Sequence, residues 1–219
     1  MNDYLRELLI EKNDFIRELR QHAESENVPI LRADAAALMQ TLTALKAPRR
    51  ILEAGTAVGY SAILMADCCR DATGKCYVNI DTVELDLDTA RIAKDNIKKA
   101  GLDNNIRVIA GDAAEVLSCL SADESYDMIF IDSAKSQYIE MYDDIKRLLK
   151  PGGLLVCDNV IFYGKIFDPP EVAPHKHRTI IANLRAFLEK LTSDDDYTTS
   201  IIETGDGMTI SVKRKEQAV

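Results

Sequence analysis

The stretch ILEAGTAVGYSA, residues 51–62, decides the fold. A short apolar run ends at Gly55, a second glycine follows at Gly59, and an apolar helical pattern runs from Ser61 to Cys69. This predicts a buried strand, a glycine turn and a helix. Such a turn holds a nucleotide-like ligand. A dinucleotide site wants G-x-G-x-x-G, but counting from Gly55 the chain offers Ala57 and Tyr60 at the second and third glycine positions. No G-K-[ST] follows either, so a P-loop is excluded. The turn is built for a nucleoside-like ligand without phosphates.

Outward from this turn the pattern repeats. CYVNIDTVE, IRVIAGD, YDMIFID and LLVCDN are further apolar runs. Helical stretches separate them at Leu87–Ala100, Ala113–Leu120 and Gln137–Leu149, with a later helix at Thr179–Leu191. Alternating strands and helices predict a parallel α/β sheet covered on both faces. Gly101 marks a helix C-terminus, Pro151-Gly152-Gly153 reads as a break before the fifth strand, and two β-rich runs around Gly205-Asp206-Gly207 read as a hairpin. Before the core, Leu5, Leu8, Leu9, Phe15, Ile16 and Leu19 predict one amphipathic helix, and Ala33 to Leu45 a second. The chain reads as a single domain, 1–219, with a helical extension over 1–48 and the core over 49–219.

Composition narrows the class. The 219 residues are 47% hydrophobic and 29% charged, ordinary for a soluble globular protein. No apolar run is long enough to span a bilayer, and the charged N-terminus lacks the features of a signal peptide, so a cytoplasmic location is expected. The five cysteines form no CxxC pair, His22 is isolated, and His175 and His177 fall in a polar loop, which argues against disulfides and zinc. A net charge of -9 weighs against general nucleic-acid binding but permits a local basic patch.

Acidic residues stand at successive strand ends. Glu84 closes the second strand, where a carboxylate can accept from both ribose hydroxyls, and Asp112 closes the third, within reach of an adenine amino group. Each could instead cap the helix that follows, but their shared place at the sheet edge favours ligand binding. At this point the chain resembles class I S-adenosylmethionine-dependent methyltransferases, whose first motif is E-x-G-x-x-x-G-Y-S. The resemblance implies a Rossmann-like, doubly wound core. It also implies that Glu53, Gly55, Thr56, Gly59, Tyr60 and Ser61 line the methionine end of the donor, that Glu84 holds the ribose, and that Asp112 and Ala113 hold the adenine.

FIDSAKSQY and VCDNVIFYGKI set the subclass. They bring Asp132, Asp158 and Asn159 to the ends of the fourth and fifth strands. Three oxygen ligands of this kind suit a hard divalent cation such as Mg²⁺ or Mn²⁺. Adjacent strand residues point to opposite faces, so Asp158 and Asn159 can both reach an ion only if the strand has already turned. A turn pair for Asp158-Asn159, a helix cap for Asp132-Ser133 and an exposed helical lysine for Lys135 are the plainer readings. A phenol-like hydroxyl, with a pKa of about 10, is mostly neutral at pH 7. A cation would lower that value and an amine such as Lys135 would take the proton.

These residues resemble the cation-dependent O-methyltransferases of the catechol and caffeoyl-coenzyme A type. That implies Asp132, Asp158 and Asn159 as metal ligands, Asp132 also beside the donor, and Lys135 and Asp132 as the catalytic pair. It further implies a seven-stranded sheet whose last strand is antiparallel, and a homodimer. Many relatives read D-A-D-K where this chain has Ser133 and Ala134, which removes one acidic side chain. Within the family, LEAGTAVGYSAILMA, FIDSAKSQY, DNVIFYGKI and GDGMTISVKR resemble the bacterial branch that methylates 5-hydroxyuridine in tRNA. Its ring hydroxyl and neighbouring carbonyl would chelate a cation as a catechol does. Lys165, Lys176, His177, Arg178 and Arg185, with Arg32, Arg49 and Arg50, are candidates to place an anticodon loop, or are merely solvated charges. A small catechol-like substrate is the rival, and a non-catalytic nucleoside-binding module the third possibility.

Overall fold

The computed structural model describes residues 3–121, 123, 125–169 and 172–215. Seven strands form one sheet in the order β3-β2-β1-β4-β5-β7-β6: β1 (Arg50–Ala54), β2 (Asn79–Glu84), β3 (Ile106–Ala110), β4 (Tyr126–Ile131), β5 (Leu149–Cys157), β6 (Tyr197–Ile202) and β7 (Met208–Lys213). The pairs β1–β2, β2–β3 and β4–β5 are parallel, and β7 runs antiparallel to both β5 and β6. The expected α/β sheet with an antiparallel last strand is therefore present. The chain groups into two compact halves, Met1–Asp112 and Ala113–Val219.

In the first half, Ile51, Leu52 and Ala54 of β1 are fully buried, as a strand covered on both faces requires. Helix α4 (Tyr60–Asp67) follows the glycine turn and α5 (Leu87–Lys99) follows β2. Asp86 caps α5 by accepting from the Thr89 N–H at 2.7 Å, and Gly101, at φ +68°, adopts the left-handed conformation that ends it. The single N-terminal helix expected from the leucine spacing is two: α1 (Asp3–Leu8) and α2 (Asp14–Ser25). Asn13 starts α2 by accepting from the Phe15 N–H at 3.0 Å, and Glu11 turns inward to Arg20 of α2, so the periodicity breaks at residues 9–13. α3 (Ala33–Lys46) lies where expected, and α2 and α3 both pack on α4.

In the second half, α6 (Ala113–Cys119), α7 (Tyr138–Leu148) and α8 (His175–Ser193) accompany β4 to β7. The Phe187 ring of α8 meets Tyr138 and Tyr142 of α7 edge-on, at 5.5 and 6.2 Å between centroids. Two expectations change here. Pro151-Gly152-Gly153 does not precede β5 but lies within it, as a bulge across which the register jumps from Tyr126↔Leu149 to Met128↔Leu154. A Cβ on Gly153 would sit 2.6 Å from the Leu149 side chain, so glycine is required. His175 and His177 open α8 rather than lying in a loop; Pro174 stands at the N-cap in an extended conformation, and the helix begins directly after it.

The β6–β7 hairpin is formed, and its tip packs on the chain that leaves β5. Val160 and Ile161 donate backbone bonds to the carbonyls of Gly207 and Asp206 at 3.0 and 2.9 Å. A Cβ on Gly207 would lie 2.3 Å from Ile161, and its φ of +84° already disfavours a side chain. Gly207→Ala should therefore cost about 1–3 kcal/mol of stability, read as a lower urea midpoint; an unchanged midpoint would mean that this contact relaxes freely.

Candidate active site

The glycine turn of the first half is fixed by backbone conformation. Gly55, Ala57 and Gly59 have φ of +103°, +45° and +86°. Gly55 and Thr56 both donate to the Val83 carbonyl, at 3.0 and 3.2 Å, and Gly59 donates to Thr56 at 2.9 Å. Beneath the turn, the Thr56 and Thr82 hydroxyls stand 2.6 Å apart and Thr82 donates to Glu53, which is wholly buried in β1. Helix α4 begins with no side-chain cap, so its first N–H groups remain available to an anion.

Glu84 ends β2 as expected. One carboxylate oxygen accepts from the Ala57 N–H at 2.9 Å and the other from Asp86 at 3.1 Å. It thus braces the turn and the next helix start, while each oxygen keeps a second lone pair for a ligand hydroxyl. Asp112 falls two residues beyond β3, immediately before Ala113 of α6. The phenol of Tyr60 enters the N-terminal helices, where it meets Glu11 and Arg20.

The second half gathers Asp132, Lys135, Asp158 and Asn159. Asp132 follows β4 directly, and one of its oxygens accepts from Lys135 Nζ at 3.2 Å and from the Asn159 amide at 3.0 Å. β5 has ended at Cys157, and Asn159 is left-handed at φ +60°, so the strand has turned as the shared-ligand reading demands. Asp158 accepts from the Asn159 N–H at 2.7 Å and donates its own N–H to Ile131 at 2.9 Å. Tyr138, which the sequence reading missed, places its hydroxyl 2.9 Å from the Asp158 carbonyl and 3.2 Å from that of Ile131, joining the two strand ends. Nothing in its spacing marks it apart from an ordinary buried aromatic. The Ser133 hydroxyl is buried with no hydrogen-bond partner among the described residues.

Burial drives the electrostatics. Asp158, only 4% exposed, has its pKa pushed up to about 7, first by burial and then by the charge of Asp132. Burial also raises Asp132, against the opposing pull of Lys135. Two such carboxylates and an amide, whose oxygen a half-turn would present, suit a hard divalent cation. Among the described residues, no group of three or more His, Cys, Asp or Glu side chains is arranged to hold a metal, so the amide would have to complete the set.

Several candidate basic residues have local partners. Arg185 donates to the carbonyls of Ile166 at 2.8 Å and Asp168 at 2.6 Å, and Arg178 to Ala173 at 3.0 Å. Arg50 pairs with Asp81, Arg49 stacks on Tyr77, and Arg32 lies 4.0 Å from Asp34. His177 packs edge-on against Phe162, and burial with Lys165 and Lys176 nearby lowers its pKa, so it adds no charge at pH 7. Lys165 and Lys176 remain as cations near the chain that leaves Asn159.

Comparison with known proteins gives this arrangement its class. The family model described as O-methyltransferase matches residues 6–214. The catechol O-methyltransferase of Niastella koreensis is 32% identical over 80% of this chain and 78% of its own. The caffeoyl-CoA O-methyltransferase of Stellaria longipes is 28% identical over 90% and 83%. A solved structure from Staphylococcus aureus superposes with a TM-score of 0.85 at 32% identity, covering 96% of this chain and 98% of its own. The O-methyltransferase from Bacillus cereus, in complex with SAH, gives 0.82 at 26% identity over 97% and 96%. The chain belongs to the O-methyltransferase family and is an S-adenosylmethionine-dependent O-methyltransferase.

The raised pKa of Asp158 has a measurable consequence. An unfolded aspartate titrates near about 3.9. The folded chain therefore holds the extra proton between there and about 7, and stability falls as pH rises through that window. With a chelator present, Asp158→Asn should gain Tm relative to wild type from pH 4 to 7 and level off above. A pH-independent difference would mean that Asp158 ionises normally.

Proposed function

We propose that the chain methylates one of two vicinal oxygens on a planar ring with the help of a divalent cation, Mg²⁺ or Mn²⁺, and that its acceptor is 5-hydroxyuridine in tRNA. Asp132, Asp158 and Asn159 would hold the cation. When bound, it supplies positive charge that favours the ionised acceptor hydroxyl. Lys135, 3.2 Å from Asp132, would take the hydroxyl proton as the neutral amine, and Asp132 orients it. The amides at the start of α4 bind the donor carboxylate, Glu84 accepts from the ribose, and Asp112 with Ala113 borders the adenine. Tyr60 contributes its backbone, since its phenol is engaged elsewhere. We take residues 1–219 as one catalytic domain, with 1–48 as a helical extension, acting in the cytoplasm as a homodimer. No described helix is long and apolar enough to cross a membrane.

The observation that supports a nucleic-acid acceptor is the segment just after Asn159. Tyr163 and Phe167 are 78% and 67% exposed, and Lys165 Nζ lies 4.9 Å from the Phe162 ring centroid. Exposed rings beside a cation suit stacked bases and a phosphate backbone. The commitment of Arg178 and Arg185 to carbonyls, with the net charge of -9, favours a small catechol-like acceptor as the second reading.

Nucleoside mass spectrometry of tRNA from cells with and without the chain separates them. Loss of 5-methoxyuridine with accumulation of 5-hydroxyuridine is expected; unchanged tRNA alongside purified enzyme that methylates free catechols would establish the second reading. Lys135→Ala should slow transfer by about 10²–10⁴ in single-turnover assays, and a wild-type rate would remove it as the base.

A further inference from the structure

A buried polar triad ties the donor turn to the N-terminal helices. Glu11, Arg20 and Tyr60 are 5%, 8% and 1% exposed. Arg20 Nε donates to Glu11 at 2.5 Å, and a terminal nitrogen donates to the Leu31 carbonyl at 2.9 Å. The other terminal nitrogen donates to the Tyr60 hydroxyl, which in turn donates to Glu11. The guanidinium also stands 4.7 Å from the Tyr60 ring centroid. Glu11 lies in the break between α1 and α2, Arg20 is on α2, Leu31 precedes α3, and Tyr60 is the first residue of α4. One cluster therefore joins the α1–α2 break, α2 and the α2–α3 connection to the first turn of α4. The two charges offset each other, and Arg20 Nε and the Tyr60 hydroxyl converge on the same Glu11 oxygen, which limits the cost of burying them.

The placement of Tyr60 gives the triad its meaning. The turn before it runs through three left-handed residues, and α4 starts without a side-chain cap. The Tyr60 side chain is the buried lever at the end of that turn. Holding its hydroxyl holds the Cα of residue 60, and with it the N–H groups of Tyr60 and Ser61. We propose that Glu11 and Arg20 are positioning residues for donor binding: through the Tyr60 hydroxyl they fix the first turn of α4 and so set affinity for the methionine end of S-adenosylmethionine, without touching it. This rests on residues 55–61 being the donor turn. The N-terminal helices are then part of the donor site's machinery rather than an appendage to it.

Tyr60→Phe is the informative change, because it removes one hydroxyl and leaves the Arg20–Glu11 pair intact. A cavity of about 360 Å³ beside Glu11 and Arg20 lets water reach the freed groups, so the fold should survive. Arg20→Lys keeps the charge but loses the forked donor geometry. Calorimetric titration with S-adenosylhomocysteine, well below the melting temperature of each variant, gives the affinities. Each single variant should weaken Kd by about 5- to 20-fold, the scale of one or two hydrogen bonds. For Arg20→Lys, kcat at saturating S-adenosylmethionine should stay within about twofold, because the loss falls on donor binding alone. The double variant should be no weaker than the worse single, because both act through one tether. Wild-type affinity in either single variant, even with a lowered Tm, or losses that multiply in the double, would overturn the proposal. Glu84→Ala is the control on the donor turn: if it too leaves Kd unchanged, the placement of the donor fails and not merely the role of the triad.

Discussion

Two carboxylates held in one cluster, one of them nearly fully buried, are the constraint on which the second half of the molecule is organised. Asp158 is nearly sealed from solvent, and Asp132 shares its neighbourhood. Each resists ionisation, yet the chain invests hydrogen bonds in keeping both there: Asn159 bonds to each, Lys135 bonds to Asp132, and Tyr138 joins the strand ends behind them. A fold gains nothing in stability from such an arrangement, since an apolar pair of similar volume would serve as well or better. What the arrangement does supply is concentrated negative charge beside a lysine amine.

The first half solves a different problem by a different means. Its turn presents backbone N–H groups, and the side chains mostly hold that backbone in place. Glu84 braces Ala57, the Thr56–Thr82–Glu53 chain lies beneath, and Tyr60 is fastened from the side by Glu11 and Arg20. Residue by residue this is scaffolding, which is why a reading of Glu84 as a helix cap and one as a ribose acceptor are not in conflict. Its carboxylate has capacity for both.

Much of this is legible in the sequence. The strand–turn–helix repeats, the acids at strand ends and the antiparallel hairpin are local patterns, and local patterns survive folding. What escaped depended on contacts distant in sequence. The leucine spacing over residues 5–19 looked continuous because nothing local says that Glu11 will meet Arg20 and Tyr60. Pro151-Gly152-Gly153 looked like a boundary, but the pairing of β4 with β5 on both sides of it makes it a bulge inside a strand. The basic residues after Asn159 looked like a patch, yet Arg178 and Arg185 hold loop carbonyls. Periodicity reports faces; it does not report partners.

The left-handed backbone at Asn159 narrows what mutation can do there. At φ +60° only glycine, asparagine and aspartate sit without appreciable strain. Glycine would remove the side chain that reaches Asp132, and aspartate would add a third negative charge to a cluster that already struggles to hold two. The residue is thus confined from both directions, by conformation and by charge. Over long divergence position 159 should change less than its exposed neighbours, and a descendant that had lost the amide would have had to rebuild the strand exit as well.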